Sequence, residues 1–164
     1  RHTCPEAASW AMSFYQHWGK LPLLCRAETP GHLGNRLQAA IGAEARKLVT
    51  EGIATTGDVD AALSSGPGMR WALIGSFMTE HIAAGDGGLR ETLMGKFDAD
   101  SSSDEVPDSG LIERILTGNQ SQVAGRSLRE LEQIRDEFLV GVLKLQADIQ
   151  EKYGFTQSRF WKNQ

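Results

Sequence analysis

The 164-residue sequence predicts a mainly α-helical fold. From Thr29 onward, apolar residues recur at the three- and four-residue intervals of helices that face a core. Glycine, proline and Ser/Thr residues stand where such helices would begin and end. Residues 20–26 differ, because they form a short apolar run of strand length with no helical stripe. We therefore expect a helical layer preceded by one helix and one isolated strand.

The first predicted helix opens with a capping-box spacing between Thr3 and Glu6, and Pro5 suits its first turn. Its apolar positions follow at helical intervals and are Ala7, Trp10, Ala11, Phe14 and Trp18. Gly19 is expected to end it. The strand predicted for residues 20–26 would leave its backbone N–H and C=O groups unpaired, since no second strand follows. Its partners are expected to lie elsewhere.

All later elements are predicted to be helices. Their expected extents are 29–51, 55–65, 69–84 with an interruption at Gly75-Ser76, 89–97, 109–117 and 127–153. Thr55 with Asp58, and Ser127 with Glu130, have the spacing of capping boxes. The last helix carries an apolar stripe that allows a coiled coil, but Ile134, Leu139 and Leu143 widen it, which favours packing into a core or a subunit interface.

Two segments read as exceptions to this helical pattern. Residues 98–108 hold five acidic residues and no basic one, so we expect a solvated, mobile loop there. The C-terminal aromatic residues Phe155, Phe160 and Trp161 carry too much apolar surface to stay free in water.

Composition restricts the class of function. At about 100–200 residues per domain, the length allows one domain, or one domain with a piece of another. Seventeen Lys and Arg residues against 21 Asp and Glu give a net charge of -4, which provides no basic surface for nucleic acid. No apolar run approaches the ~20 residues needed to cross a bilayer, and residues 1–10 lack the order of a signal peptide. We expect a cytoplasmic protein that binds neither nucleic acid nor membranes.

Cofactor and metal motifs are absent from the sequence. Neither GxGxxG nor GxxxxGK[ST] occurs, so the chain has no recognisable phosphate-binding loop of its own. The four histidines are scattered, and Cys4 and Cys25 have neither metal nor disulfide spacing. We expect no metal site, and we expect both cysteines to be buried, reduced thiols.

Asn35 is the candidate catalytic residue. It lies one turn into the helix after Thr29, where the Cα–Cβ bond tilts toward the N-terminus and directs the amide to the strand-to-helix junction. A neutral amide there would donate to a substrate oxygen, which suits polarisation of a hydroxyl or carbonyl during hydride transfer. The alternative is an ordinary solvated helical asparagine.

Arg70 and Trp71 are the candidate substrate-binding residues. They follow the turn Gly66-Pro67-Gly68 and would offer an anion contact and an aromatic face for a quaternary ammonium group. The alternative for Trp71 is a place in the core.

The order of short motifs resembles a known family. Residues 30–38 (Pro-Gly-His-Leu-Gly-Asn-Arg-Leu-Gln), then 44–45 (Glu-Ala), 51–54 (Glu-Gly-Ile-Ala) and 58–60 (Asp-Val-Asp), look like the C-terminal domain of L-3-hydroxyacyl-CoA dehydrogenases. Residues 66–75 and 124–136 look closer to the branch of carnitine 3-dehydrogenase and lambda-crystallin, an L-gulonate 3-dehydrogenase. The resemblance covers most of residues 5–150.

This resemblance implies a two-domain NAD enzyme with an N-terminal Rossmann domain and a helical C-terminal domain that shapes the substrate cleft and forms a homodimer. Residues 1–28 would then be the last helix and strand of a truncated NAD-binding domain, and residues 29–164 the substrate-binding and dimerisation domain. We expect a fragment or half of a split enzyme, inactive on its own, with NAD held mainly by a Rossmann domain in cis or in trans.

The family's substrate-contacting asparagine carries over onto Asn35. The chain departs from the family pattern at His32, which replaces Phe, at Ser76, which replaces Pro, and at Met78, which replaces Glu. The implied substrate is a small 3-hydroxy acid such as carnitine, or a 3-hydroxyacyl-CoA, which places the enzyme in carnitine or fatty acid metabolism. The alternative from another class is a non-enzymatic helical dimerisation module.

Overall fold

The computed structural model describes residues 3–99 and 109–154, and it describes side chains for 3–94 and 109–154. The mainly helical fold is confirmed. The described ranges form seven α-helices and one short 3-10 helix, Gly85–Gly87. The α-helices are α1 Pro5–His17, α2 His32–Thr50, α3 Thr56–Ser65, α4 Pro67–Ala83, α5 Gly88–Ala99, α6 Ser109–Val123 and α7 Leu128–Tyr153.

Two predicted segments lie largely outside the described residues. The expected acidic loop falls on 100–108 apart from its first two residues, which belong to α5. The C-terminal aromatic residues fall within 155–164.

The strand predicted for residues 20–26, with its partners expected elsewhere, is not formed within the described residues. The segment between α1 and α2 is non-helical, but no strand occurs anywhere in the described ranges. A strand is defined by hydrogen bonds to a neighbouring strand, and an apolar run without such a neighbour has no ladder to join.

The described chain divides into two compact units, Arg1–Ile53 and Ala54–Gln164. The first unit holds α1, the non-helical segment and α2, and the second holds α3 to α7. The domain boundary expected after residue 28 stays a prediction.

Helix α1 begins and ends at residues that restrict its backbone. The N-cap is Cys4, whose side chain makes no capping hydrogen bond, and Pro5 occupies the first helical position. The capping box expected from Thr3 is therefore wrong, because the proline fixes the start one residue later than that cap requires. Gly19, with φ 68°, follows the helix end as predicted. Cys4 is exposed and Cys25 half-buried, so the prediction of buried thiols is also wrong.

The apolar faces of the first unit remain uncovered within it. Trp10 and Trp18 are each 66% exposed, and Phe14 lies between them in α1 with its ring 5.2 Å from that of Trp10. On α2, Leu33, Leu37 and Ile41 are also exposed. Both helices form as their apolar periodicity predicts, but their apolar faces pack against no core formed by the described residues of this unit.

The second unit is built around α4, which packs against α3, α5, α6 and α7. One buried cluster joins Met78 and Ile82 of α4 to Leu131 of α7. A second joins Leu89 and Leu93 of α5 to Leu116 of α6. Gly75, at φ 73° and ψ -179°, interrupts α4 at the predicted position.

Helix α7 serves two environments. Its N-terminal part enters the core through Leu131, with Leu128 packed beside it. Farther along, Leu143, Leu145 and Ile149 are exposed, and Leu145 is 60% exposed. The predicted choice between core and subunit interface is thus resolved for the first part of the helix, which lies in the core.

Candidate functional site

The junction that precedes α2 has a strained backbone. Gly31 is the N-cap at φ 83°, and His32 follows at φ 53°. A left-handed conformation is easy for glycine but uncommon for a residue with a Cβ atom. The sequence pattern Thr-Pro-Gly therefore ends the preceding segment in a tight turn, and α2 starts directly after it.

Asn35 is the fourth residue of α2 and is exposed. Its side-chain amide forms no hydrogen bond with any residue in the described part of the chain, so both of its N–H groups and its carbonyl face solvent. It lies in the turn of the helix where unpaired backbone N–H groups favour negative charge. An amide in that place has the donors required to orient an oxygen of a bound molecule.

Arg36, the next residue, contacts the junction directly. Its Nη1 atom donates a hydrogen bond to Oγ1 of Thr29 at 2.8 Å. Sequence patterns did not single out this arginine. The signal that would have found it is a hydroxyl residue and an arginine on opposite sides of a Pro-Gly turn, a pairing that becomes meaningful only when the turn geometry is known.

An open cleft of about 1480 Å³ lies in the first unit. It is lined by α1, by the non-helical segment from Lys20 to Pro30, and by His32. Small-molecule pockets have volumes of about 300–1,000 Å³. The cleft is therefore larger than a site shaped around one small ligand.

Arg70 and Trp71 are neighbours near the start of α4, in the second unit. Arg70 is exposed and Trp71 is half-buried, so the indole is neither a pure core residue nor a free surface one. Asn35 belongs to the first unit. The grouping of Asn35 with these two residues into one site stays a prediction.

Gly66 and Gly68 set where α4 begins. A Cβ atom on Gly66 would lie 2.5 Å from the carbonyl oxygen of Ala62, and one on Gly68 would lie 2.6 Å from that of Leu63. Both distances are far inside van der Waals contact. The Gly-Pro-Gly sequence is thus required for the close passage of the chain from α3 into α4, which places Arg70 and Trp71.

The departures from the family pattern have clear local roles. Ser76 stands just after the break in α4, and its Oγ atom donates to Oε1 of Glu80 at 3.3 Å. Met78 is buried, and its Sδ atom accepts a hydrogen bond from Nδ2 of Asn119 at 3.2 Å. His32 holds the left-handed backbone at the junction.

The described residues do not by themselves fit a dinucleotide. They contain no strand that leads through a glycine-rich loop into a helix, which is the unit that binds a pyrophosphate. Over the same ranges, no three His, Cys, Asp or Glu residues come close enough together to hold a metal ion. None of the helices in residues 3–99 and 109–154 combines the length and apolarity required to cross a bilayer.

Comparison with known proteins adds the following matches. Residues 31–123, which begin at the N-cap of α2, match the family model described as 3-hydroxyacyl-CoA dehydrogenase, C-terminal domain. An L-carnitine dehydrogenase of Pseudomonas sp is 38% identical over 165 residues, covering 96% of this chain and 51% of that protein. An L-carnitine dehydrogenase of Bacillus cereus is 39% identical over 155 residues, covering 88% of this chain and 46% of that protein. The chain therefore spans about half the length of the curated relatives it matches.

Proposed function

Since this chain belongs to the 3-hydroxyacyl-CoA dehydrogenase family, we propose that it is the substrate-binding and dimerisation part of an NAD-dependent dehydrogenase. The resemblance predicted from the sequence, including its carnitine branch, is confirmed. The proposed reaction is oxidation of the 3-hydroxyl group of a carnitine-like 3-hydroxy acid or a 3-hydroxyacyl-CoA. The observation that carries this proposal is the family match from residue 31, because it includes the whole of α2 and its exposed Asn35.

Asn35 is proposed to orient the reacting oxygen. Its amide is exposed and has no intramolecular partner among the described residues, so it remains available to a ligand. An N–H donor directed at the substrate oxygen would stabilise the negative charge that develops there as the hydroxyl proton passes to a base of the proposed Rossmann domain. This is the single residue of the family's reaction machinery that we assign to this chain.

NAD is proposed to be held by a Rossmann domain supplied in cis or in trans, where it would accept the hydride. Two features of the first unit support a partner domain. Its open cleft exceeds the size of a small-ligand pocket, and α1 with its C-cap residue Trp18 exposes Trp10, Phe14 and Trp18 as one aromatic face. A folded domain would cover both.

Among the possible substrates, we favour a carnitine-like one. Carnitine carries a carboxylate and a quaternary ammonium group on either side of its hydroxyl. Arg70 offers a guanidinium for an anion, and the half-buried Trp71 offers an aromatic face for a cation. The matched relatives named L-carnitine dehydrogenase support the same choice.

Dimerisation is proposed to involve the distal part of α7. Leu143, Leu145 and Ile149 present apolar surface there that the described residues leave uncovered, and obligate interfaces bury such surface. Light scattering on the purified chain should report a dimer. A stable monomer at micromolar concentration would contradict this part of the proposal. The cytoplasmic location expected from the sequence stays a prediction.

Reconstitution tests the main proposal. The chain is mixed with, or fused after, the dinucleotide-binding half of an L-carnitine dehydrogenase, and NADH formation is followed with L-carnitine, L-gulonate and a 3-hydroxyacyl-CoA as substrates. We expect turnover of L-carnitine to exceed that of the other two. If no substrate is turned over while the chain still dimerises, the non-enzymatic dimerisation module is favoured instead.

The role of Asn35 is tested in the same assembly. Asn35→Ala should lower kcat/KM by about 10²-fold, the usual cost of removing one oxyanion donor. Its unfolding free energy should change little, since the exposed side chain forms no hydrogen bond with the described residues. Gln38→Ala is the matched control, because Gln38 is an exposed amide residue in the same helix. Equal kinetics for both variants would remove Asn35 from the reaction.

A further inference from the structure

The helix that carries Asn35 begins without a side-chain cap. Gly31 is its N-cap and has no side chain to accept a hydrogen bond from the first turn. By contrast, α3 and α7 each begin with a complete capping box, formed by Thr55 with Asp58 and by Ser127 with Glu130. An uncapped helix frays at its first turn. In α2 that turn includes Asn35.

Arg36 stabilises the start of α2 in a different way, through a hydrogen bond to Thr29. Its guanidinium reaches back over the turn and donates through Nη1 to Oγ1 of Thr29 at 2.8 Å. The Cγ atom of Arg36 lies 3.7 Å from the position that a Cβ atom on Gly31 would take, so the aliphatic stem lies directly against the N-cap. The hydrogen bond therefore links the residue before the turn to the residue after Asn35.

The linked segment is the strained one. Between Thr29 and Arg36 lie Gly31 and His32, both with positive φ. A residue with a Cβ atom keeps a left-handed backbone only when its surroundings hold it there. The exposed bond from Arg36 to Thr29 spans these two residues and so stabilises this conformation of the junction.

We propose that Arg36 is a positioning residue for Asn35, an inference that rests on the proposed function. By holding the first turn of α2 against Thr29, the arginine fixes where the Asn35 amide stands relative to the substrate oxygen. Reaction rates are sensitive to such placement, since an error of about 1 Å costs up to about 10²-fold. Arg36 itself needs no contact with the substrate for this role.

Hydrogen exchange on the 164-residue chain tests whether the Arg36–Thr29 hydrogen bond stabilises the first turn of α2. In an α-helix the N–H groups of Arg36 and Leu37 bond to the carbonyl groups of His32 and Leu33, so they report fraying of the first turn. Thr29→Val removes the acceptor at nearly constant volume and should speed exchange of both amides by about 2- to 10-fold. Arg36→Met removes the donor and should speed Leu37 exchange by a similar factor.

Two variants serve as controls. Thr29→Ser keeps the hydroxyl and should restore slow exchange. Thr50→Val removes a threonine hydroxyl at the other end of α2, where Oγ1 of Thr50 donates to the carbonyl oxygen of Arg46 at 2.8 Å. It should leave exchange in the first turn unchanged. If the amides of Arg36 and Leu37 exchange at the same rates in Thr29→Val as in the parent chain, the hydrogen bond does not stabilise the first turn.

Kinetics of the reconstituted enzyme test the link to Asn35. Thr29→Val and Arg36→Met should lower kcat by about 10-fold while KM changes less. In an Asn35→Ala background the same substitutions should cause no further loss, because there is no amide left to misplace. An equal loss in both backgrounds would overturn the positioning role. Absence of turnover in the parent enzyme would refute the proposed function instead. The exchange experiment would still decide whether the Arg36–Thr29 bond stabilises the first turn of α2.

Discussion

The Nδ1 atom of His81 accepts a hydrogen bond from the backbone N–H group of Leu89 at 3.2 Å. This bond joins the last turn of α4 to the first turn of α5, across the short 3-10 helix. Gly88 passes so close to the ring that a Cβ atom there would lie 3.0 Å from Cε1 of His81. Leu89 is 1% exposed, so its N–H group has no access to water as an alternative partner. His81 therefore acts as a cap for α5.

Replacing His81 tests this capping role. His81→Phe keeps the ring and removes the acceptor, which leaves a buried N–H group unpaired and should lower the unfolding free energy by about 1–3 kcal/mol. His81→Asn provides a side-chain oxygen as a substitute acceptor and should lose less. Urea denaturation of the chain measures both. A phenylalanine variant as stable as the parent would show that the bond does not contribute.

The contact between Met78 and Asn119 is a long-range interaction inside the second unit. Asn119 is 4% exposed, and its Nδ2 atom donates to the thioether sulfur of Met78, which is a weak acceptor. The two residues are 41 positions apart in sequence. The methionine at this position thus packs in the core and also supplies the amide with a partner.

A double-mutant cycle measures that interaction. Met78→Leu conserves volume but leaves the buried amide without its acceptor, and it should cost about 1–3 kcal/mol of unfolding free energy. In an Asn119→Leu background the same change should cost almost nothing. Leu131→Met, in the same cluster, is the control for a volume-conserving swap with no polar partner. An equal cost of Met78→Leu in both backgrounds would contradict the coupling.

Local signals explain what the sequence could and could not predict. The capping boxes at Thr55 and Ser127 and the break at Gly75 depend on residues within a few positions, and all three are confirmed. The strand predicted for residues 20–26 is not formed within the described residues, because a strand needs a partner that a local pattern does not supply.

The candidate site shows the same division between local and long-range information. The helix that bears Asn35 follows from periodicity, so its location was predictable. The bond from Arg36 to Thr29 depends on two successive residues with positive φ. The second of these is His32, and a histidine in the sequence does not predict a positive φ. The contact between Asn119 and Met78 joins separate helices, and the local sequence of neither helix predicts it.

The glycines at the start of α4 give a third prediction. Gly66→Ala and Gly68→Ala would each bring a Cβ atom within 2.6 Å of a backbone carbonyl oxygen, and neither oxygen belongs to a flexible side chain that could move away. Each substitution should cost at least about 1–3 kcal/mol of unfolding free energy. The matched controls are Gly118→Ala and Gly141→Ala, which meet nothing within 4 Å in α6 and α7. These should stabilise the chain by about 0.5–1 kcal/mol.

Denaturation curves for the four alanine variants distinguish a steric requirement from a general effect of glycine. If all four stabilise the chain alike, the close passage between α3 and α4 is not a constraint, and the placement of Arg70 and Trp71 does not depend on it.

The two capping boxes predict how stability depends on pH. The carboxylate of Glu130 accepts hydrogen bonds from the hydroxyl and the backbone N–H group of Ser127, both at 2.7 Å. These bonds, the hydroxyl bond first, hold the pKa of Glu130 below its ordinary range. Asp58 has its pKa lowered in the same way by the hydroxyl and then the backbone of Thr55. Both carboxylates therefore favour the folded state when they are charged.

The direction of the effect follows from the lower pKa in the folded state. Each carboxylate contributes its full stabilisation above the pKa of the unfolded chain, and this contribution disappears as pH falls through the lower folded-state pKa. Glu130→Gln should therefore lower the unfolding free energy at neutral pH. It should also make the unfolding free energy fall less steeply as the pH drops below the ordinary pKa of a glutamate. Glu151→Gln, in the last turn of α7, removes a carboxylate outside any capping box and should leave that decline in place. Parallel pH profiles for the parent and Glu130→Gln would mean that the box at the start of α7 contributes nothing to the acid sensitivity of the fold.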